Sequence, residues 1–142
     1  MDIEIGNSEA LITKSQMIRR QVFVKEQAIP LELDLDGLDQ GSYHALVTDQ
    51  DSLVATARLT IDDSNQAHMA RVAVLAPYRG ASVATWVIKA MMAFAREKNV
   101  ESIHIYAHHY LRCYYERLGY QYIKDAETVG SHQLIEMHHR IK

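Results

Sequence analysis

Arg71-Val72-Ala73-Val74-Leu75-Ala76-Pro77-Tyr78-Arg79-Gly80-Ala81-Ser82-Val83-Ala84 passes from an apolar, β-branched run through a proline-containing turn into a string of small residues. The run reads as the end of a strand over 67–75, and the small residues as the opening of a long helix over 81–98. Ala84, Val87, Ile88, Met91, Phe94 and Ala95 form the inner stripe of that helix, and Val83, Trp86 and Ala90 widen it. So broad an apolar surface implies a helix covered on most sides. Residues 102–107 are again strand-like. A strand, a long helix and a strand in series require a crossover, so 67–75 and 102–107 are expected to be parallel neighbours.

Outward from this unit the remaining elements are short and closely spaced. Asp62-Asp63-Ser64-Asn65 is strong turn chemistry between strands over 53–61 and 67–75. A further strand over 43–48 makes an antiparallel meander with them. Ile3 and Ile5 mark an opening strand, and Ser8 can cap a helix to about Lys25, with Leu11, Ile12, Ser15, Ile18 and Val22 on its inner side. The segment 26–42 carries Glu32, Asp34, Asp36 and Asp39 around Gly37 and reads as a solvated acidic loop. A short helix over 111–118, a turn at Gly119, and strands over 120–124 and 133–140 complete the chain. The order is β-α-β-β-β-α-β-α-β-β. It describes an α/β fold with a mixed, mostly antiparallel sheet and helices on both faces. Within the strand over 67–75, simple alternation puts His68, Ala70, Val72 and Val74 on one face.

The 142 residues are 48% hydrophobic and 23% charged, enough for a packed core and consistent with one domain over 1–142. A net charge of −3 argues against a nucleic-acid partner, which calls for a basic face. Charges interrupt every apolar run before it reaches bilayer-spanning length, so no membrane association is expected. The acidic, alternating start Met1-Asp2-Ile3-Glu4-Ile5 is unlike a secretory signal, and Cys113 is the sole cysteine. These features point to a soluble, cytoplasmic protein.

The chemistry of the opening stretch lies where the strand turns into the helix. The first N–H groups of a helix have no internal partner and sit at the positive end of its dipole. Phosphate oxygens suit that place, especially where Gly80, Ala81, Ser82 and Ala84 permit close approach and Arg79 adds a charged donor. The same residues also suit an ordinary strand-to-helix turn. The eight histidines include the groups His104, His108, His109 and His132, His138, His139, but their spacing matches no recognised ligand set and no metal is expected. Cys113 reads as a packed small residue rather than a nucleophile.

Three segments resemble the GNAT acetyltransferase superfamily. Val72-Ala73-Val74 followed by Arg79-Gly80-Ala81-Ser82-Val83-Ala84 is similar to its motif A, a strand leading into Arg-Gly-x-Gly-x-Gly/Ala; Ser82 stands at the second glycine and retains the backbone N–H. A glycine there would carry a helix-start cost of about 0.5–1 kcal/mol. Ala107-His108-His109-Tyr110-Leu111-Arg112-Cys113-Tyr114-Tyr115-Glu116-Arg117-Leu118-Gly119-Tyr120 resembles motif B, with Tyr114-Tyr115 and Gly119-Tyr120 at the Phe-Tyr and Gly-Phe positions and His108 in place of a glutamine. Arg20-Gln21-Val22-Phe23-Val24-Lys25-Glu26-Gln27, followed by Asp34 and Asp39, resembles the ElaA-like bacterial branch.

The resemblance implies a splayed cleft that takes acetyl-coenzyme A (acetyl-CoA) as cosubstrate. Pantetheine would run along Val72, Ala73 and Val74, and the pyrophosphate would lie at Arg79, Gly80, Ala81, Ser82, Val83 and Ala84. A primary amine, on a small molecule or a peptide, would attack the thioester directly. Tyr115 matches the tyrosine that protonates the leaving thiolate; His68 and Glu26 are the candidates for taking the amine proton. The acidic 32–39 loop would attract a cationic acceptor. A homodimer is compatible with all of this. Two other functions remain open on the residues alone: a non-catalytic acyl-CoA sensor, and an interaction module without a cofactor.

Overall fold

A computed structural model describes residues 1–80 and 82–142. One sheet holds β1 (Asp2–Gly6), β2 (Tyr43–Asp49), β3 (Ser52–Ile61), β4 (Gln66–Val74), β5 (Ser102–His108), β6 (Gln121–Val129) and β7 (His132–Arg140). Its spatial order is β1-β2-β3-β4-β5-β7-β6. Among the described residues only β4 and β5 pair in parallel, from Gln66↔Ser102 to Met69↔Ile105; the other five pairings are antiparallel. The crossover between them is α3 (Val83–Glu97), as the long apolar helix required.

The first helix, α1 (Glu9–Arg19), starts where Ser8 Oγ accepts from the Leu11 N–H at 3.2 Å, and it continues as π-helical turns over Arg20–Glu26. It packs Leu11, Ile18 and Val22 against Leu46 and Ala73 on one face of the sheet. On the other face Val87, Ile88, Met91 and Ala95 of α3 meet Ala57, Leu59 and Met69. Val87 and Met91 are fully buried, and each such side chain removed from water contributes about 1.5–3 kcal/mol. The helices on both faces follow directly from these two stripes. No helix among the described residues is long and apolar enough to cross a membrane.

Simple alternation fails in β4. Thr56 pairs with Ala73 and Arg58 with Ala70, so two residues of β4 oppose Ala57, and Arg71 takes φ of 58°. This bulge shifts the phase by one residue. His68 and Ala70 therefore share a face with Ala73, while Val72 and Val74 turn to the α3 side and pack on its core. The expected grouping of His68, Ala70, Val72 and Val74 is corrected accordingly.

The acidic segment 26–42 is likewise not a solvated loop. It contains α2 (Leu31–Asp34) and a 3-10 turn over Asp39–Gly41, and Asp34 and Asp39 are buried. Arg19, with no exposed surface, donates from Nε to Asp34 Oδ1 at 3.1 Å and from Nη1 to Asp39 Oδ1 at 2.7 Å. Arg58 clasps Asp36 through two 2.8 Å bonds and reaches Asp39 at 3.1 Å. A carboxylate can be buried only with partners of this kind. The feature that would have found it is Arg19 itself, which lies four residues after Ser15 on the inner side of α1.

The start of α3 also differs from expectation. Ser82 is its N-cap in the left-handed region, φ 62° and ψ 21°, and makes no side-chain capping bond. A non-glycine residue there is strained by about 1–2 kcal/mol. Ser82→Gly is therefore expected to raise stability, by about 1 kcal/mol, instead of costing helix propensity. Chemical denaturation of the two proteins checks the sign.

Candidate active site

After Met69↔Ile105 the ladder between β4 and β5 stops, although β4 runs on to Val74 and β5 to His108. The two parallel strands part, and a cavity of about 740 Å³ opens between them. Met69, Ala70, Arg71 and Val72 line one side, Ile105, Tyr106, Ala107 and His108 the other. A backbone that loses its ladder partner at a cavity exposes amide donors and acceptors to whatever enters. The π-helical end of α1 and the β6–β7 hairpin close the far end.

Tyr115, on α4 (Arg112–Arg117), faces this cavity and is only 6% exposed. Its ring packs edge-on against Tyr114 at 5.2 Å and Tyr120 at 5.5 Å between centroids. Burial, reinforced by Tyr114, pushes its hydroxyl well above the usual phenol range, so the proton stays on. The Tyr114 hydroxyl meets Thr85 Oγ1 at 2.6 Å and ties α4 to the first turn of α3. His68 lines the same cavity, stacked at 10° on Tyr106 with centroids 6.2 Å apart. His68 and Tyr115, assigned from separate motifs, are thus brought to one space.

Glu26 is not among the residues lining that cavity. Its Oε2 accepts from Arg79 Nη2 at 2.8 Å, while Arg79 Nε donates to the Val74 carbonyl at 2.8 Å. The two candidates meet each other, and the bond straps the end of α1 to the turn before α3. In that turn Gly80 has φ of 84°, where a side chain is strained although open space surrounds it. Val83 and Ala84 begin α3, so their N–H groups have no partner within the helix. Val72 lines the cavity, Ala73 is buried against α1, and Ala81 lies outside the described residues.

Two further residues, to which the motifs assign no role, line the cavity. Arg71, turned by the bulge, donates to the Leu33 carbonyl at 2.9 Å and lies 3.2 Å from Asp34 Oδ1, joining β4 to α2 at the cavity wall. His108 meets His132 of the hairpin at 4.8 Å, and burial first, then the neighbouring His132 and His109, lowers its pKa. No cluster of His, Cys, Asp and Glu among the described residues is disposed to hold a metal ion.

The chain matches the acetyltransferase (GNAT) family over residues 13–120. The uncharacterized N-acetyltransferase YjcF of Bacillus subtilis (strain 168) is 28% identical over 131 residues, which cover 92% of this chain and 93% of that one. Escherichia coli ElaA has the same fold, with a TM-score of 0.88 at 23% identity over 98% of this chain and 99% of its own. An aminoglycoside 6′-N-acetyltransferase complexed with coenzyme A aligns with a TM-score of 0.79 at 13% identity, over 100% of this chain and 98% of that one.

Proposed function

Because this chain belongs to the acetyltransferase (GNAT) family, we propose that residues 1–142 act as one N-acetyltransferase domain that moves the acetyl group of acetyl-CoA to a primary amine by direct attack on the thioester. The observation that carries this reading is the parting of β4 from β5 after Met69↔Ile105, with Tyr115 and His68 lining the cavity that opens there. Acetyl-CoA supplies the activated acyl carbon. Everything else falls to the chain.

The residues fit that cosubstrate in two places. The backbone of β4 beyond Met69 has no ladder partner on the β5 side, which suits the amides of an extended pantetheine arm. The first turn of α3 has free N–H groups, a glycine with positive φ before it, and Arg79 beside it, which suits a pyrophosphate. Glu26 holds the Arg79 guanidinium at that turn. His68, facing the cavity from β4, takes the proton of the incoming amine, since an imidazole can accept one near neutral pH. Tyr115 holds a proton at its buried hydroxyl and gives it to the departing sulfur. The walls around them hold the reactants in line.

Calorimetric titration with acetyl-CoA and a thiol-release assay over a set of amines test the proposal; neither binding nor release would sink it. Gly80→Glu is expected to weaken acetyl-CoA binding by about tenfold or more, through strain at positive φ and a carboxylate beside the pyrophosphate. Unchanged affinity in the same titration would move the phosphate site elsewhere.

A further inference from the structure

We propose that the acceptor is a monoamine carried on an aromatic body, and that a second positive charge on it is selected against; this rests on the acyl-transfer reading above. Two segments bring apolar side chains to the far end of the cavity, beside the polar Gln27 and Thr128. Phe23, Ile29 and Leu33 come from the α1–α2 segment, and Val129 and Leu134 from the β6–β7 hairpin. Between them Tyr106 and Tyr110 are 53% and 70% exposed, and each presents a ring beside a histidine, His68 at 6.2 Å and His108 at 5.2 Å. Partly exposed aromatic rings flanked by aliphatic side chains suit a planar apolar body.

The charges point the same way. Among the described residues, two carboxylates line the cavity, Asp34 and Glu127. Asp34 is buried and engaged by Arg19 at 3.1 Å and Arg71 at 3.2 Å, so it offers nothing to a ligand. Glu127 is exposed, on the hairpin strand β6, where solvent screens it. Arg71, His68, His108 and His132 make up the remaining ionisable lining apart from the tyrosines. A diamine would bring a second ammonium into a cavity whose described lining offers it no free buried counter-ion and includes the cationic Arg71. An aryl monoamine has one ammonium, which it must lose in any case before attack. Discrimination here comes from the absence of a partner as much as from apolar contact. The acidic segment that suggested a cationic acceptor has its Asp34, Asp36 and Asp39 committed to arginines.

The test compares phenethylamine with cadaverine, a linear diamine of similar length. With acetyl-CoA near neutral pH, kcat/KM for phenethylamine is expected to exceed that for cadaverine by about tenfold or more. Ile29→Glu, at a half-buried position on the cavity wall, is expected to narrow the ratio by supplying the missing counter-ion, with a thermal melt to show that the variant folds. Equal or better use of cadaverine by the wild type overturns the inference, as does an unchanged ratio in the variant. Methyl NMR of Leu33 and Val129 in the protein without acetyl-CoA gives an independent readout. Shifts with phenethylamine and none with cadaverine support the inference; no shift with phenethylamine overturns it. Failure of acetyl-CoA to bind in calorimetry would remove the transferase reading alone and leave the NMR comparison to decide the amine class.

Discussion

Tyr115→Phe is expected to lower kcat by about 10²–10⁴-fold, the usual contribution of a positioned acid, while changing acetyl-CoA affinity little. Because the lost contact forms as the sulfur departs, kcat/KM should fall by the same factor. The substitution is conservative in packing. The ring sits edge-on between Tyr114 and Tyr120, and phenylalanine keeps every one of those contacts. A raised phenol pKa by itself argues against an acid. The burial that disfavours a tyrosinate, however, equally disfavours a bare thiolate in the same dry space, so the two proton affinities rise together. A purely structural Tyr115 forecasts something else: about 1 kcal/mol of lost stability at most, and ordinary turnover. Melting temperature and steady-state kinetics on one preparation separate the two. A stable, fully active variant would leave the thiolate to solvent.

The parallel pair at the centre of the sheet was legible because topology leaves no alternative. A fifteen-residue helix between two strands forces a crossover, and Gln66↔Ser102 through Met69↔Ile105 is the result. Tyr115 and the turn at Gly80 were legible through motif, since both lie where short-range spacing sets the geometry. The bulge at Arg71 was not. It leaves no mark on a run as apolar as 72–75, yet it reverses which side chains face the cavity. Nor could local pattern show the fate of Asp34, Asp36 and Asp39. Their arginines lie 15 to 37 positions away in the chain, and periodicity carries no information at that range. Ser82 was misjudged for a related reason: helix propensity is a property of helical φ and ψ, and the residue sits just outside them.

Asp39→Ala is expected to lower the unfolding free energy by about 3 kcal/mol or more, the cost of leaving a buried ion without its partner. Asp39 Oδ1 accepts from Arg19 Nη1 at 2.7 Å and Arg58 Nη1 at 3.1 Å, and Oδ2 accepts from Gln16 Nε2 at 2.8 Å. Arg19 and Arg58 are 0% and 3% exposed, so water cannot replace what is lost. Asp34 and Asp36 still hold them, which keeps the effect near the lower end of the range for broken buried pairs. The acid dependence of stability follows from the same site. Burial alone would raise the Asp39 carboxyl, but the bonds from Arg19 and Gln16 and the charge of Arg19 overcome it and hold the group well below its ordinary value of 3.8. A depressed folded pKa means that the unfolded chain binds the proton first, so this stability is present above about pH 4 and drains away below it. His44 adds an earlier stage: burial, despite the Asp39 carbonyl at 3.0 Å from Nε2, lowers its pKa from 6.5, and stability is lost as pH falls beneath that value. Wild-type stability should thus decline in two stages on acidification, and Asp39→Ala should flatten the lower one while keeping the upper. Denaturant melts across this pH range read both. A variant that loses less than about 1 kcal/mol, or keeps the lower stage undiminished, would show that the cluster is screened like a surface pair.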